Sequence, residues 1–271
     1  MTAIAGRHVV VTGGSSGIGL ATARRLATAG ARVSLLARDS TRLADAARAV
    51  GPSTEVASVD VRDADAVREA FARLTGAAGP CEVLVACAGY AQPGYYERLA
   101  DDAFRDHMAV NYFGSLHAVR AVTPSMSVRG EGHVVLVAST AALTGVFGYT
   151  AYAPAKYAVR GLAETLRVEL APQGIVVACA YPPDTETPGY ARERALQPPE
   201  TAAISERISP RDATTVANAI VRGIEKNRLV ITADFQTAAL ARAAGILAPY
   251  LRFTMDRSVR KVRRSGGTFT A

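Results

Sequence analysis

Short β-branched runs alternate with alanine-rich stretches of helical period along most of the chain. The apolar runs predict strands at His8–Val11, Arg32–Leu36, Glu55–Val59, Glu82–Ala86, Val134–Ala138, Ile175–Cys179 and Leu229–Thr232. Each is nearly continuous rather than alternating, as expected of strands covered on both faces. Between them, apolar positions three and four apart predict helices at Gly17–Thr28, Thr41–Ala49, Asp63–Leu74, Asp102–Ser127, Ala151–Ala171 and Arg211–Lys226. Strand and helix in turn imply an α/β fold, a doubly wound seven-stranded parallel sheet with helices on both faces. Only a proline-rich stretch, Pro182–Pro210, and the tail after Ala233 fall outside this rhythm.

With 271 residues, 49% of them hydrophobic and 20% charged, the chain can bury a full core and is too apolar for disorder. Its net charge of +7 is concentrated: residues 250–271 hold six basic side chains against Asp256. The body is therefore nearly neutral, which argues against a nucleic-acid-binding face. Val134–Ala155 carries no charge, but its Ser, Thr, Gly and Pro residues read as a buried strand, a loop and a helix start rather than a bilayer span. Met1–Gly6 is too short and uncharged to be a secretory leader. Three cysteines without a C-x-x-C pair argue against disulfides and a thiolate metal site, and for a reducing, cytoplasmic setting.

Candidate chemistry begins directly after the first strand, at Thr12-Gly13-Gly14-Ser15-Ser16-Gly17-Ile18-Gly19, where Leu20 opens a helix. A pyrophosphate needs backbone N–H groups at a helix N-terminus and side chains small enough to let it approach, which this loop supplies. The second strand ends in Arg38 and Asp39, with Arg42 four residues beyond. An acidic residue there would hold ribose hydroxyls, whereas two arginines suit a 2′-phosphate, so the expected cofactor is NADPH/NADP+. The alternative is that Arg38 and Arg42 pair with Asp39 or Asp45 on the surface. Asp60, ending the third strand, is expected to accept from the adenine amino group or to cap the next helix.

Later strand ends contribute Asn111, Ser139, Tyr152 and Lys156. Tyr152 and Lys156 share one helix face at i and i+4. The ammonium is expected to lower the phenol's pKa and make Tyr152 a tuned proton donor, with Ser139 on the reacting oxygen and Asn111 holding a water that links Lys156 to solvent.

Together Thr12–Gly19, Cys87-Ala88-Gly89, Asn111, Ser139 and Tyr152-Ala153-Pro154-Ala155-Lys156 resemble the short-chain dehydrogenase/reductase family over about residues 6–232. Cys87 stands where many members have asparagine, and Pro154 lies in the first turn of the helix, where proline is tolerated. The resemblance implies a Rossmann fold, a nicotinamide cofactor and the four-residue active site above. It implies cofactor contacts from Gly13, Ser15, Ser16, Gly17, Ile18, Gly19, Arg38, Arg42, Asp60, Val61, Ala88, Gly89, Tyr152, Lys156 and Pro182. It also implies a homodimer or homotetramer built on the fourth and fifth crossover helices.

A finer likeness lies in Ala180–Tyr190, Gly13–Gly17, Ala37-Arg38 and Gly161–Glu164, which resemble the 3-ketodihydrosphingosine (3-dehydrosphinganine) reductase branch. Those enzymes use NADPH to reduce the C3 ketone of a long-chain 2-amino-1-hydroxy-3-ketone, so the implied substrate is lipid-like. Eukaryotic members are membrane-anchored, whereas no run here reads as a spanning helix. Another apolar ketone or alcohol, such as a steroid, retinoid or 3-oxoacyl thioester, is the competing substrate class. A non-catalytic NADP(H) sensor would need neither Tyr152 nor Lys156.

Residues 1–233 thus read as a catalytic domain in which 182–210 form a lid, and 234–271 as a basic, partly apolar helical extension. On the lid, Asp184 or Glu186 is expected to meet the substrate ammonium; otherwise Asp184 and Thr187 cap a helix with Pro188 at its first position. In the extension, at about 100° per residue, Leu251, Met255, Val259 and Val262 fall in one stripe with the basic residues outside it. Two readings follow: peripheral contact through 238–264 at the inner face of a membrane, or packing of the stripe on the protein's own pocket or a partner subunit.

Overall fold

A computed structural model describes residues 1–206 and 208–264. Arg207 of the lid and residues 265–271 of the extension lie outside the described residues. Seven parallel strands form the main sheet: β1 (His8–Thr12), β2 (Arg32–Ala37), β3 (Glu55–Ser58), β4 (Val83–Ala86), β5 (Gly132–Val137), β6 (Ile175–Ala180) and, completing it late in the chain, the short Val230–Ile231. Their order is β3-β2-β1-β4-β5-β6 and then Val230–Ile231. The order reverses between β1 and β4, so the strand ends there open a crevice suited to ligands.

Helices cover both faces. On one side lie α1 (Gly17–Thr28) and α2 (Ser40–Val50); on the other lie α3 (Ala64–Ala78), α4 (Asp101–His107), α5 (Gly114–Arg129) and α6 (Tyr152–Leu170). The twofold period of a strand divides its side chains between the two cores. Val10 of β1 packs with Phe71, Val122, Met126 and Val159, whereas Val9 and Val11 pack with Ala23 and Leu26.

Three departures from the sequence pattern matter for function. The helix expected over Asp102–Ser127 is interrupted by a π-turn, Met108–Phe113, between α4 and α5. Such turns re-aim side chains, and this one carries Asn111. Second, the stretch after β6 is no single capped helix: β7 (Thr185–Glu186) pairs in parallel with β8 (Arg211–Asp212), enclosing α7 (Pro188–Ala195) and α8 (Pro199–Ser205). Arg211 and Asp212 are therefore strand residues, and α9 spans Ala213–Glu225, N-capped by Asp212. β9 is Val230–Ile231 and α10 is Phe235–Arg264.

The third departure concerns the extension. Leu240, Ala241 and Ala244 of α10 pack against the sheet core, Thr237 and Ser258 are buried, and Leu251 and Met255 line the central cavity. The half-buried stripe therefore presents Leu251 and Met255 to the protein's own cavity, the packing alternative of the two readings. The outward side chains are Ile246, Tyr250 and Phe253, all exposed. Among the described residues no helix is long and apolar enough to cross a membrane.

Candidate active site

One cavity of about 760 Å³ runs along the crevice at the strand ends. Its walls include all four residues of the expected constellation and every expected cofactor residue.

At one end lies the glycine loop. Gly13 has φ +68°, and a Cβ there would sit 2.8 Å from Ala88 Cα and 2.9 Å from the Cys87 carbonyl oxygen. At Gly19 a Cβ would fall 2.3 Å from the Gly13 carbonyl oxygen. Both positions are closed to larger residues, which keeps the loop tight against the strand ends. The hydroxyl of Thr12 accepts N–H bonds from Cys87 and Ala88 at 3.1 and 3.2 Å, tying the loop to the turn after β4. Ser16 precedes α1 in extended conformation with no side-chain cap, and the first turn holds no acidic residue. The uncapped N–H groups and positive dipole end suit a phosphate.

Arg38 lies 4.0 Å from Asp60, and Arg42 lies 3.3 Å from Asp39. Asp45 pairs with Arg48 instead. These pairs are exposed and weak, so both guanidiniums stay available to an anion. Asp60 does not cap the next helix. It takes bonds from the Arg62 guanidinium at 2.8 and 3.0 Å and from the Arg62 N–H at 3.0 Å, and the cap of α3 is Asp63. Partial burial raises the Asp60 pKa, but the bonds and charge of Arg62 outweigh it and leave it below the ordinary value.

In the middle, Tyr152 opens α6 and Lys156 follows one turn later, its Nζ donating to the Val137 carbonyl at 2.9 Å. The structure corrects the expected tuning. Burial pushes the Tyr152 phenol above its ordinary value, and Glu193 and Asp184 add to this; the Ser139 hydrogen bond opposes it without prevailing. Lys156 lies 5.7 Å from the centre of the Tyr152 ring, and its own pKa drops to about 8 through burial. Desolvation of a phenolate therefore prevails, and the hydroxyl stays protonated. Ser139 starts a short helical turn, and its Oγ accepts from the Ala141 N–H at 3.2 Å.

Asn111 is fully buried. Its Nδ2 donates to the Tyr90 and His107 carbonyls at 3.1 Å each, while Oδ1 has no donor among the described residues. A Cβ on Gly89 would lie 2.5 Å from that oxygen and 3.3 Å from Lys156 Nζ, so Gly89 is the gap that lets the two approach. The unsatisfied acceptor is suited to a water beside Lys156.

The lid brings charge that sequence reasoning partly missed. Thr187 caps α7 by accepting from the Tyr190 N–H at 3.0 Å, with Pro188 first in the helix. Asp184 is not a cap: its carboxylate accepts from the Tyr190 hydroxyl at 3.2 Å and lines the cavity. Glu186 is exposed and lines a separate groove beside α1. The other carboxylate that the 182–210 segment brings to the cavity is instead Glu193, hydrogen-bonded to the Tyr149 hydroxyl, to which Gln197 also donates at 3.1 Å. Burial, helped by Asp184, lifts the Glu193 pKa to about 7 against the Tyr149 bond. The Tyr149 ring lies 5.9 Å from that of Tyr152, and the His107 ring 6.2 Å. His107 accepts from the Gln92 N–H at 3.1 Å through Nε2 and bonds the Ala103 carbonyl through Nδ1; burial keeps it uncharged. Its place four residues before Asn111 was a readable helical signal. Nothing in the sequence pattern pointed to Glu193.

The chain matches the short chain dehydrogenase family over residues 7–197. It is 43% identical to 3-dehydrosphinganine reductase from Danio rerio over 225 residues, covering 80% of this chain and 68% of the relative. It is 37% identical to 3-ketodihydrosphingosine reductase from Dictyostelium discoideum, covering 90% and 80%. Among solved structures, levodione reductase superposes with a TM-score of 0.79 at 26% identity, covering 87% of this chain and 99% of that one. A short-chain dehydrogenase/reductase from Burkholderia phymatum in complex with NAD gives 0.79 at 27%, covering 89% and 93%.

Proposed function

Since the chain belongs to the short-chain dehydrogenase family, we propose that it reduces a ketone to a secondary alcohol with NADPH, and that the substrate is the long-chain 2-amino-1-hydroxy-3-ketone named by its relatives, 3-ketosphinganine. The observation that carries this reading is the single cavity joining the glycine loop, Tyr152 and an apolar far wall.

A nicotinamide dinucleotide fits the residues present. Gly13, Ser15, Ser16, Gly17, Ile18 and Gly19 would hold its pyrophosphate at the N-terminus of α1, Arg38 and Arg42 a 2′-phosphate, and Asp60 and Val61 the adenine. Ala88, Gly89, Pro182, Tyr152 and Lys156 would hold the nicotinamide half. The cofactor supplies a hydride for the carbonyl carbon. Ser139 orients the carbonyl oxygen, and Tyr152, held protonated by its surroundings, gives that oxygen its proton. Lys156 and the water position at Asn111 return a proton to the phenolate. Asp184 and Glu193 lie where a substrate ammonium beside the ketone would be neutralised. The test is NADPH absorbance with 3-ketosphinganine beside simple ketones. Turnover of simple ketones alone transfers the activity to another apolar ketone, and no turnover removes the reading.

Exposed Phe113, just before α5, and Tyr157 and Val168 of α6 support a homodimer or homotetramer paired through these helices; equilibrium sedimentation of the wild type and Val168→Glu checks it. Peripheral membrane contact passes to the outer face of α10, where Ile246, Tyr250 and Phe253 share one helical face with Arg257 and Arg260. Co-sedimentation with anionic and neutral vesicles at low salt checks that face. Loss of binding in Phe253→Ser is the expected result.

A further inference from the structure

The far wall of the cavity is built from residues beyond the family match, which ends at 197. Ile204, next to the C-terminal end of α8, and Leu240, Leu251 and Met255 of α10 all line it. Leu251 and Met255 are one turn apart, and Leu240 precedes Leu251 by three turns, so all three share the inward face of α10. At 1.5 Å per residue, Leu240 to Met255 makes a row about 22 Å long. These side chains are only half-buried although the helix that bears them is packed against the core. Their free surface faces the same cavity as Tyr152.

This wall is pinned at both ends. At its start Asp234 accepts from the Thr237 N–H at 2.8 Å and from Arg211 Nε at 3.1 Å. At its end Arg263 Nε lies 3.7 Å from Glu200, a carboxylate only 2% exposed that also accepts from the Tyr95 hydroxyl at 3.0 Å. One buried acid thus joins α10, α8 and the loop after β4. A charge so deep is costly to unpair, so it holds the helix at one distance from the catalytic centre.

We propose that α10 and α8 form a gauge for the substrate's alkyl chain, with Leu240, Leu251 and Met255 as specificity-determining residues that rank ligands by the number of methylenes laid along them. The proposal rests on the ketone-reductase reading only for the head group at Tyr152. A chain bound with its ketone at Tyr152 would run toward α10, because the other direction is occupied by the glycine loop and its phosphate site.

The test reads binding rather than turnover. Full-length protein loaded with NADP+ is titrated calorimetrically with straight-chain primary alcohols from hexanol to dodecanol, each below its solubility limit. Affinity is expected to rise about threefold to fourfold per methylene, the ratio set by burying one CH2 group. Leu251→Trp and Met255→Trp are expected to cut the dodecanol-to-hexanol affinity ratio at least tenfold. Met255→Ala, which only trims the wall, should lower the same ratio by a smaller factor and serves where a tryptophan variant does not fold. A flat series in the wild type, or a slope unchanged in the variants, overturns the gauge. Failure of the reductase reading shows separately, as no NADPH consumption with any ketone while the alcohol series still climbs.

Discussion

The glycine loop after β1 and the segment after β6 face each other across one cavity, yet different forces hold them. The loop is fixed by backbone crowding: Gly13 and Gly19 leave no room for a Cβ, and Thr12 ties the loop to the next strand end. The lid has little core of its own, since α7 contains no buried residue. Side-chain pairs hold it instead: Asp184 with Tyr190, Glu193 with Tyr149, and Glu200 with Tyr95 and Arg263. Crowding makes a rigid cradle that cannot open. Pairs of carboxylates and phenols fix the segment after β6 side chain by side chain instead of through a packed core. Burial raises the Tyr152 pKa most, and two of these carboxylates, Glu193 and Asp184, add to the rise.

The largest effect is expected at the centre, between the two regions. Tyr152→Phe is expected to lower kcat by about 10²–10⁴-fold, the usual worth of a positioned acid, while NADPH affinity measured by fluorescence titration stays near normal. Lys156→Ala should lose both rate and affinity, because the ammonium is proposed to serve both the proton path to Tyr152 and the nicotinamide half of the cofactor. A Tyr152→Phe enzyme that keeps most of its kcat removes the tyrosine from the chemistry.

On the cofactor wall, Arg38→Ala is expected to raise the KM for NADPH roughly tenfold or more, as losing a charge-assisted contact costs about 1.5–3 kcal/mol, with NADH little changed. Equal losses for both cofactors in steady-state kinetics would assign Arg38 to its structural pairing with Asp60 instead.

On the lid wall, Asp184→Asn is expected to lower kcat/KM for the amino ketone about fivefold more than for a ketone of equal length without the amine, the size of about 1 kcal/mol of lost charge pairing. Identical losses on the two substrates would make Asp184 only the anchor of Tyr190.

The smallest effect is one of stability. Glu193 has a folded pKa of about 7 against an ordinary 4.5, so between these values the folded protein binds the proton more tightly than the unfolded chain. Its contribution therefore favours folding at low pH and is lost as pH rises through 7. Glu193→Gln should flatten this part of the stability curve. Its Tm should exceed that of the wild type at pH 8 by about 2–4 °C, on the order of 1 kcal/mol after screening by solvent, and the difference should shrink toward pH 5. Calorimetry across pH 5–8 checks the sign; a Tm difference that grows toward low pH refutes it.

Sequence alone carried the sheet, the glycine loop, the arginines at the end of β2 and the Asn111, Ser139, Tyr152 and Lys156 set. These depend on the period of a strand or helix, or on the spacing of a loop to the helix it opens, which are local properties of the chain. Tertiary structure alone decided the rest. The π-turn at Asn111, the upward shift at Tyr152 and the role of Glu193 arise where burial and charges from distant segments meet, and no local period encodes such a meeting. The extension shows the division within one helix. Its amphipathic stripe was legible from Leu251 to Val262, but whether that stripe met lipid or protein depended on the apolar surface left uncovered by α8 and the sheet edge. That surface exists only once the chain has folded.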